Sequence, residues 1–255
     1  MPNRPSVTAV IPARFGSSRF PGKPLAMLLG KPLIQHVYER VQGASGIDQV
    51  LVATDDERIR TAVEKFGGRA ILTKEPYRTG TDRVAGVARQ LPGDIFLNLQ
   101  GDEIALTVEL FGDLIRPFCA GRAGMGTLKR RLTAEADVQN PGVVKVVTDH
   151  EGRALYFSRA PVPHVRDARE QVAAGLHHVH LGIYIYRRET LLRFAGLPTG
   201  VLEEAEKLEQ LRALEHGLPI QVWETAHPSL RIDTAEDLAE AADVLSKLEP
   251  CPSNS

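Results

Sequence analysis

Apolar runs alternate with stretches of helical spacing through roughly the first hundred positions. Val7 to Pro12 (VTAVIP) predicts a buried strand that empties into a Gly/Ser/Pro loop from Ala13 to Pro24. Pro32 stands at a helix start, and Leu33, Ile34, Val37, Tyr38 and Val41 recur at helical spacing until Gly43 and Gly46. Gln49 to Thr54 predicts a second strand, Glu57 to Phe66 a helix broken by Gly67-Gly68, and Ala70 to Thr73 a third strand. Asp82 to Leu91 reads as helix and Asp94 to Gln100 (DIFLNLQ) as a fourth strand. Strands separated by helices in this way predict an α/β fold with a mainly parallel sheet and right-handed crossovers.

The pattern changes in the second half. Val143 to Thr148 and Ala154 to Phe157 flank Asp149-His150-Glu151-Gly152, a hairpin signal. His178 to Tyr186 (HVHLGIYIY) alternates with period two. Leu202 to His216 predicts one helix stopped by Gly217, Ile220 to Glu224 a strand, and Thr234 to Leu248 a closing helix. The expected organisation is a single domain over 7–248, with a β-rich region at about 125–186. Residues 1–6 and the tail 249–255 are expected to be disordered.

Composition narrows the function classes. With 43% hydrophobic and 25% charged residues in 255, the chain has material for a core and the balance of a soluble globular protein. A formal net charge of −1 gives no basic field for a nucleic-acid backbone, so an anionic ligand must be met by a local cluster. Cys119 and Cys251 build neither a disulfide framework nor a cysteine-rich metal site. No stretch reaches the ~18 apolar residues of a membrane helix, and Met1 to Ser6 leads into no apolar targeting segment, so the cytoplasm is expected.

The loop Pro12-Ala13-Arg14-Phe15-Gly16-Ser17-Ser18-Arg19-Phe20-Pro21-Gly22-Lys23-Pro24 sets three basic side chains among two glycines and two serines. At the carboxyl end of a parallel strand, that combination suits a triphosphate: close backbone N–H groups plus cations. It is not a P-loop, because five residues separate Gly16 from Gly22-Lys23 and Pro24 stands where a magnesium-binding hydroxyl would be. The alternative is a solvated basic loop.

Gln100-Gly101-Asp102-Glu103 places a carboxylate at the end of a strand, and Arg231-Ile232-Asp233-Thr234 repeats the arrangement before the last helix. Magnesium takes one or two carboxylates plus substrate phosphates, so Asp102 is a natural ligand. Asp233 reads equally as ligand or as part of a helix cap. Thr79-Gly80-Thr81-Asp82-Arg83 opens a helix and suits either capping or recognition of a base or ribose. His177, His178 and His180 invite a zinc reading, but His178 and His180, which would share one face of a strand, have no third ligand of suitable spacing nearby, and packing or a substrate hydrogen bond is the simpler reading. Glu203, Glu204, Glu206 and Glu209 read mostly as a solvated helix face.

The segments IPARFGSSRFPGKP, RTGTDR, NLQGDE, YFSRAPVP, HLGIYIYRR, LEQLR and RIDTAEDL, in this order, resemble the CMP-Kdo synthetase (3-deoxy-manno-octulosonate cytidylyltransferase) family from Val7 to Leu248. The resemblance implies a nucleotide-diphospho-sugar transferase (Rossmann-like) fold, a homodimer formed through the β-rich region, and magnesium. It also implies the reaction of CTP with the eight-carbon keto acid Kdo, giving CMP-Kdo for lipopolysaccharide synthesis and diphosphate. By resemblance, Arg14 and Lys23 hold the triphosphate and Asp102 and Asp233 the metal. Pro12, Ala13, Arg78, Thr79, Gly80 and Thr81 line the cytidine pocket, and Gln100, Arg159, His180, Tyr184, Glu209 and Gln210 surround the sugar acid. Ile104, Val201-Leu202-Glu203 and Glu204-Ala205-Glu206-Lys207 depart from the family pattern on the acceptor side. They leave open an 8-amino-Kdo, sialic acid or phosphonate acceptor. A non-catalytic nucleotide-sensing paralogue is the alternative outside enzymes.

Overall fold

The computed structural model describes residues 4–16, 20–73, 75–101, 103, 107–167, 172, 175–229, 232, 234 and 237–247. They fall into two compact units, one running to Arg116 and resuming at His227, the other Pro117–Ala226.

In the first unit, β1 (Val7–Ala13) is buried at all seven positions, as an apolar strand covered on both faces must be. A single 3₁₀ turn (Lys23–Leu25) and the two-residue strands β2 (Met27–Leu28) and β3 (Lys31–Pro32) lead into α1 (Leu33–Gln42). Its buried face is the one read from periodicity: Leu33, Ile34, Val37, Tyr38 and Val41. β4 (Gln49–Thr54), α2 (Glu57–Lys65), β5 (Ala70–Leu72), α3 (Gly80–Gln90), β6 (Ile95–Leu99) and α4 (Val108–Ala120) follow. β1 pairs in parallel with β4 and with β6, and β4 with β5, giving the order β6-β1-β4-β5. The chain therefore leaves β1 towards β4 and returns by α3 to β6 on the other side. That reversal makes the carboxyl ends of β1 and β6 a topological switch point, where open α/β sheets bind ligands.

Order begins earlier than composition suggested. Arg4 donates to the Gly46 carbonyl at 3.0 Å, and the Ser6 amide to Asp94 Oδ2 at 2.8 Å.

The second unit holds β7 (Met125–Arg131), α5 (Glu135–Gln139), β8 (Lys145–Thr148), β9 (Ala154–Ser158) and β10 (His178–Arg187). They are followed by α6 (Arg188–Ala195), α7 (Val201–Glu206), α8 (Leu211–Glu215) and β11 (Gln221–Glu224). β11 lies parallel to β7, β7 antiparallel to β10, and β8 antiparallel to both β10 and β9. The expected hairpin is the β8–β9 pair. The single helix expected over Leu202 to His216 is two: Lys207 adopts φ 52, the left-handed conformation that ends a helix, and α8 restarts at Leu211. Periodicity gives no sign of the break, because Leu208 and Leu211, both buried just beyond it, are three positions apart as in a helix. The chain closes in the first unit with α9 (Asp237–Lys247). Among the described residues no helix is long and apolar enough to cross a membrane.

Candidate active site

A cleft of about 120 Å³ opens at the switch point of the first unit. Pro12, Ala13 and Arg14 reach it from the end of β1, Gln100 from the end of β6, and Tyr77 to Gly80 with Arg83 from the entry to α3. Gly80 is what lets these segments close. A Cβ there would stand 3.0 Å from Gln100 Nε2 and 3.1 Å from Pro12 Cγ. Thr79 caps α3, its hydroxyl accepting from the Asp82 amide at 3.1 Å, so capping and lining the cleft fall on one residue. The start of α3 thereby presents a site favourable to negative charge.

Thr81 lies beneath the wall rather than in it. It is buried and accepts from Asn98 Nδ2 at 2.9 Å, while Asn98 Oδ1 accepts from Gln100 Nε2 at 3.4 Å. This chain of side chains aims Gln100. Arg83 is buried and committed: it donates to Asp55 Oδ2 at 2.6 Å and to Thr73 Oγ1 at 2.5 Å, with its guanidinium 5.6 Å from the Tyr77 ring centre. It braces the wall. Arg14, by contrast, is exposed and makes no hydrogen bond to a described residue.

The phosphate-type loop is pinned at its base. The Gly22 amide donates to the Phe15 carbonyl at 2.9 Å, Gly22 has φ 72, and a Cβ on it would lie 3.1 Å from the Phe15 ring. Arg58 covers the ring's other surroundings with its guanidinium 3.4 Å from the centroid, and Asp56, the N-cap of α2, holds that arginine at 2.6 Å. Lys23 follows and donates from Nζ to the Ile232 carbonyl at 2.8 Å.

Asp102 and Asp233 lie outside the described residues, as do Ser17, Ser18 and Arg19 of the loop. Their described neighbours are tied together: the Ser229 hydroxyl hydrogen-bonds Glu103, and Lys23 reaches Ile232. The Thr234 amide donates to Asp237 Oδ2 at 2.8 Å.

The remaining residues read as acceptor-binding lie in the second unit. Between Leu181 and Tyr184 the β7–β10 register shifts, and the Thr127 hydroxyl fills the irregularity. It donates to the Ile183 carbonyl at 2.7 Å and lies 3.1 Å from His180 Nε2. A hydroxyl has one proton to give, so it accepts from His180 Nε2–H, leaving Nδ1 as an acceptor. Burial pushes this imidazole down to about 3, so it is neutral. The Tyr184 ring lies tilted with its centroid 5.3 Å away, and its buried hydroxyl lacks a partner among the described residues. Burial, then Tyr186 and Glu209, hold that hydroxyl protonated well above its ordinary range.

Glu209 accepts from Arg212 at 3.0 Å, and the wholly buried Arg212 is also paired with Glu203 at 3.2 Å and lies 4.8 Å from the Phe194 ring centre. Gln210 is buried at the start of α8. Arg159 donates from Nε to the Glu206 carbonyl at 2.8 Å and from Nη1 to the Pro141 carbonyl at 3.0 Å. Glu203, Glu206 and Glu209 are therefore structural partners, not a solvated face as the acidic run suggested. His177 and His178 are likewise separately employed, His177 Nε2 against the Pro163 carbonyl at 2.8 Å and His178 Nδ1 against the Leu176 carbonyl at 3.1 Å. Among the described residues no three potential ligands come together around a metal position.

Sequence reasoning passed over Tyr77, Arg83, Lys145 and Arg212, and it read Glu206 only as part of the acidic run and of a departing segment. Arg83 and Arg212 sat in quoted motifs without a role, and Lys145 was a lone charge inside an apolar run.

A family model for cytidylyltransferases matches residues 8–223. The chain belongs to the cytidylyltransferase family. It is 50% identical to a 3-deoxy-manno-octulosonate cytidylyltransferase of Geobacter sulfurreducens, over 96% of this chain and 100% of that protein. It is 48% identical to the protein of the same description from Syntrophus aciditrophicus, over 94% of this chain and 97% of the other. A solved structure of CMP:2-keto-3-deoxy-manno-octonic acid synthetase complexed with CTP superposes with a TM-score of 0.89 at 40% identity, covering 95% of this chain and 99% of that one. A cytidylyltransferase from Leptospira borgpetersenii, 17% identical with a TM-score of 0.64 over 96% of this chain and 88% of the other, shares the fold. The mixed α/β architecture with a mainly parallel sheet is that of this group of nucleotidyltransferases.

Proposed function

We propose that the chain transfers the cytidylyl group of CTP to Kdo, 3-deoxy-manno-octulosonate, releasing diphosphate and supplying an activated sugar for lipopolysaccharide synthesis. The observation that carries this reading is 50% identity, over all of its length, to a protein described as the cytidylyltransferase for that acid. The cleft chemistry agrees with it. Pro12, Ala13 and the Arg78–Gly80 segment offer a small polar pocket for cytidine, while Arg14, Lys23 and the start of α3 offset triphosphate charge. In-line attack of the acceptor's anomeric hydroxyl on the α-phosphorus forms the new O–P bond as diphosphate leaves. Arg14 and Lys23 stabilise the charge that builds on the leaving group.

Magnesium fits the carboxylates of Asp102 and Asp233, an all-oxygen donor set whose described neighbours are joined by the Glu103–Ser229 and Lys23–Ile232 bonds. Bound there, the metal would offset phosphate charge and acidify the attacking hydroxyl.

The acceptor set has one cation and several hydroxyl partners. Arg159 meets the carboxylate, while His180 Nδ1, Tyr184 and Gln210 exchange hydrogen bonds with hydroxyls. Arg212 offsets the charge of Glu209 at 3.0 Å, which favours a hydroxyl over an 8-amino group at that carboxylate. The protein works as a two-fold homodimer in the cytoplasm. Leu155 and Leu176, 61% and 54% exposed in the β-rich unit, supply apolar surface for the dimer. Diphosphate release with four nucleoside triphosphates crossed against Kdo, 8-amino-Kdo and sialic acid tests the reading. CTP with Kdo should be the productive pair. Faster release with sialic acid, or indifference to the base, would overturn it.

A further inference from the structure

Glu206 lies in the segment just before Leu208-Glu209-Gln210-Leu211-Arg212 and is tied to the one cation expected to meet the acceptor. Its Oε1 accepts from the Ser158 hydroxyl at 2.6 Å and its Oε2 from the Arg159 amide at 2.9 Å. Its own carbonyl accepts from Arg159 Nε at 2.8 Å. The Ser158 hydroxyl oxygen also accepts from the Ala160 amide at 3.0 Å, so the turn leaving β9 closes on the same carboxylate. From the other side, buried Lys145 donates to the Arg159 carbonyl at 2.7 Å and to the carbonyls of Asn140 and Val143 at 2.9 and 2.7 Å. Arg159 is thus held by its amide, its carbonyl, Nε and Nη1, while Nη2 makes no hydrogen bond to a described residue.

An arginine so restrained meets an anion with its remaining edge already aimed, and the ordering cost is met on folding rather than on binding. A carboxylate suits position 206 better than an amide or an alkyl group. It accepts from two donors at once and faces the buried Lys145 charge. Three residues on, Glu209 pairs with Arg212 just beyond the turn that Lys207 makes with φ 52.

We infer that Glu206 is a positioning residue for the acceptor's carboxylate, acting through Ser158 and the backbone of Arg159 to aim the free edge of that guanidinium. The inference rests on the reading that Arg159 binds the acid.

Steady-state kinetics of Glu206→Ala and Glu206→Gln, with CTP and Kdo varied separately, test it. Glutamine can accept from the Arg159 amide through Oε1 and donate to the Ser158 oxygen through Nε2, so it keeps the geometry without the charge. In Glu206→Ala the KM for Kdo should rise about tenfold, the size of one misdirected charge-assisted bond, with the KM for CTP within about twofold. Glu206→Gln should return the Kdo KM to within about threefold of the parent, since both bonds are remade. A Kdo KM unchanged in Glu206→Ala overturns the inference. So does a parallel rise of both KM values with a lowered melting temperature and no rescue by glutamine, the signature of a purely structural role. If Glu206→Ala does not fold, Glu206→Asp, shorter by one methylene, is read by the same split of KM values. Absence of any Kdo-dependent turnover in the parent protein would instead reject the function itself.

Discussion

Replacing Gly22 by alanine separates a loop that binds phosphates from one that merely crosses the surface. Gly22 has φ 72, and its missing Cβ would lie 3.1 Å from two atoms of the Phe15 ring. An L-residue in the left-handed region costs about 1–2 kcal/mol. The ring must also retreat by a few tenths of an ångström from a seat where Arg58 stands 3.4 Å from its centroid. The total is roughly 2 kcal/mol, concentrated on a loop that a Gly22–Phe15 backbone bond of 2.9 Å closes at its base. If the loop rearranges to escape the strain, that energy reappears when CTP restores its geometry. CTP affinity should then fall by about 10- to 30-fold at little change in melting temperature. Gly16→Ala is the control, because a Cβ there meets nothing within 4 Å. Calorimetric titration of CTP with magnesium, without acceptor, reads both variants. The reasoning fails if Gly22→Ala and Gly16→Ala bind CTP alike.

Other outcomes follow from the same geometry. Asp102→Asn and Asp233→Asn should each lower turnover by roughly 100-fold at an unchanged melting temperature. A lowered melting temperature with turnover intact would return Asp233 to the cap. The unfolded chain protonates His180 below about pH 6.5, whereas burial holds the folded imidazole neutral down to about 3. The unfolded state therefore binds more protons in that window, and acidification from pH 7.5 to 5.5 should cost about 1.4 kcal/mol that His180→Gln does not lose. Parallel melting curves of the two proteins would contradict this. Lys145→Met strips a donor from three carbonyls, which at about 1 kcal/mol each should lower the melting temperature by roughly 6–12 °C. A drop under about 2 °C would mean that water replaces the ammonium.

The parallel half was legible because its signals are local. β4 spans Gln49–Thr54 as its apolar run suggested, and every apolar position marked on α1 is buried. The segments that line the cleft were also marked, since a strand end, a glycine and a helix cap leave signatures in adjacent residues. The second unit was less legible where partners come from distant positions. The break at Lys207 leaves the hydrophobic spacing of Leu208 and Leu211 intact, so periodicity carries no trace of it. The acidic run looked solvated because Arg212, the buried partner of Glu203 and Glu209, is recognisable as such only once folding takes it out of water. Glu206 escaped for the same reason: Ser158 and Arg159 are 48 and 47 positions away in sequence. Arg83 was noticed only as part of a motif, because its bonds to Asp55 and Thr73 join three elements.

The most direct measurement follows the phosphorus of CTP by ³¹P NMR during incubation with Kdo and magnesium. The account predicts that the α-phosphorus signal moves from triphosphate to a phosphodiester while free diphosphate grows in equal amount, with no reaction when GTP replaces CTP. Release of orthophosphate with CDP, or diphosphate formed without a Kdo-linked phosphodiester, would contradict it.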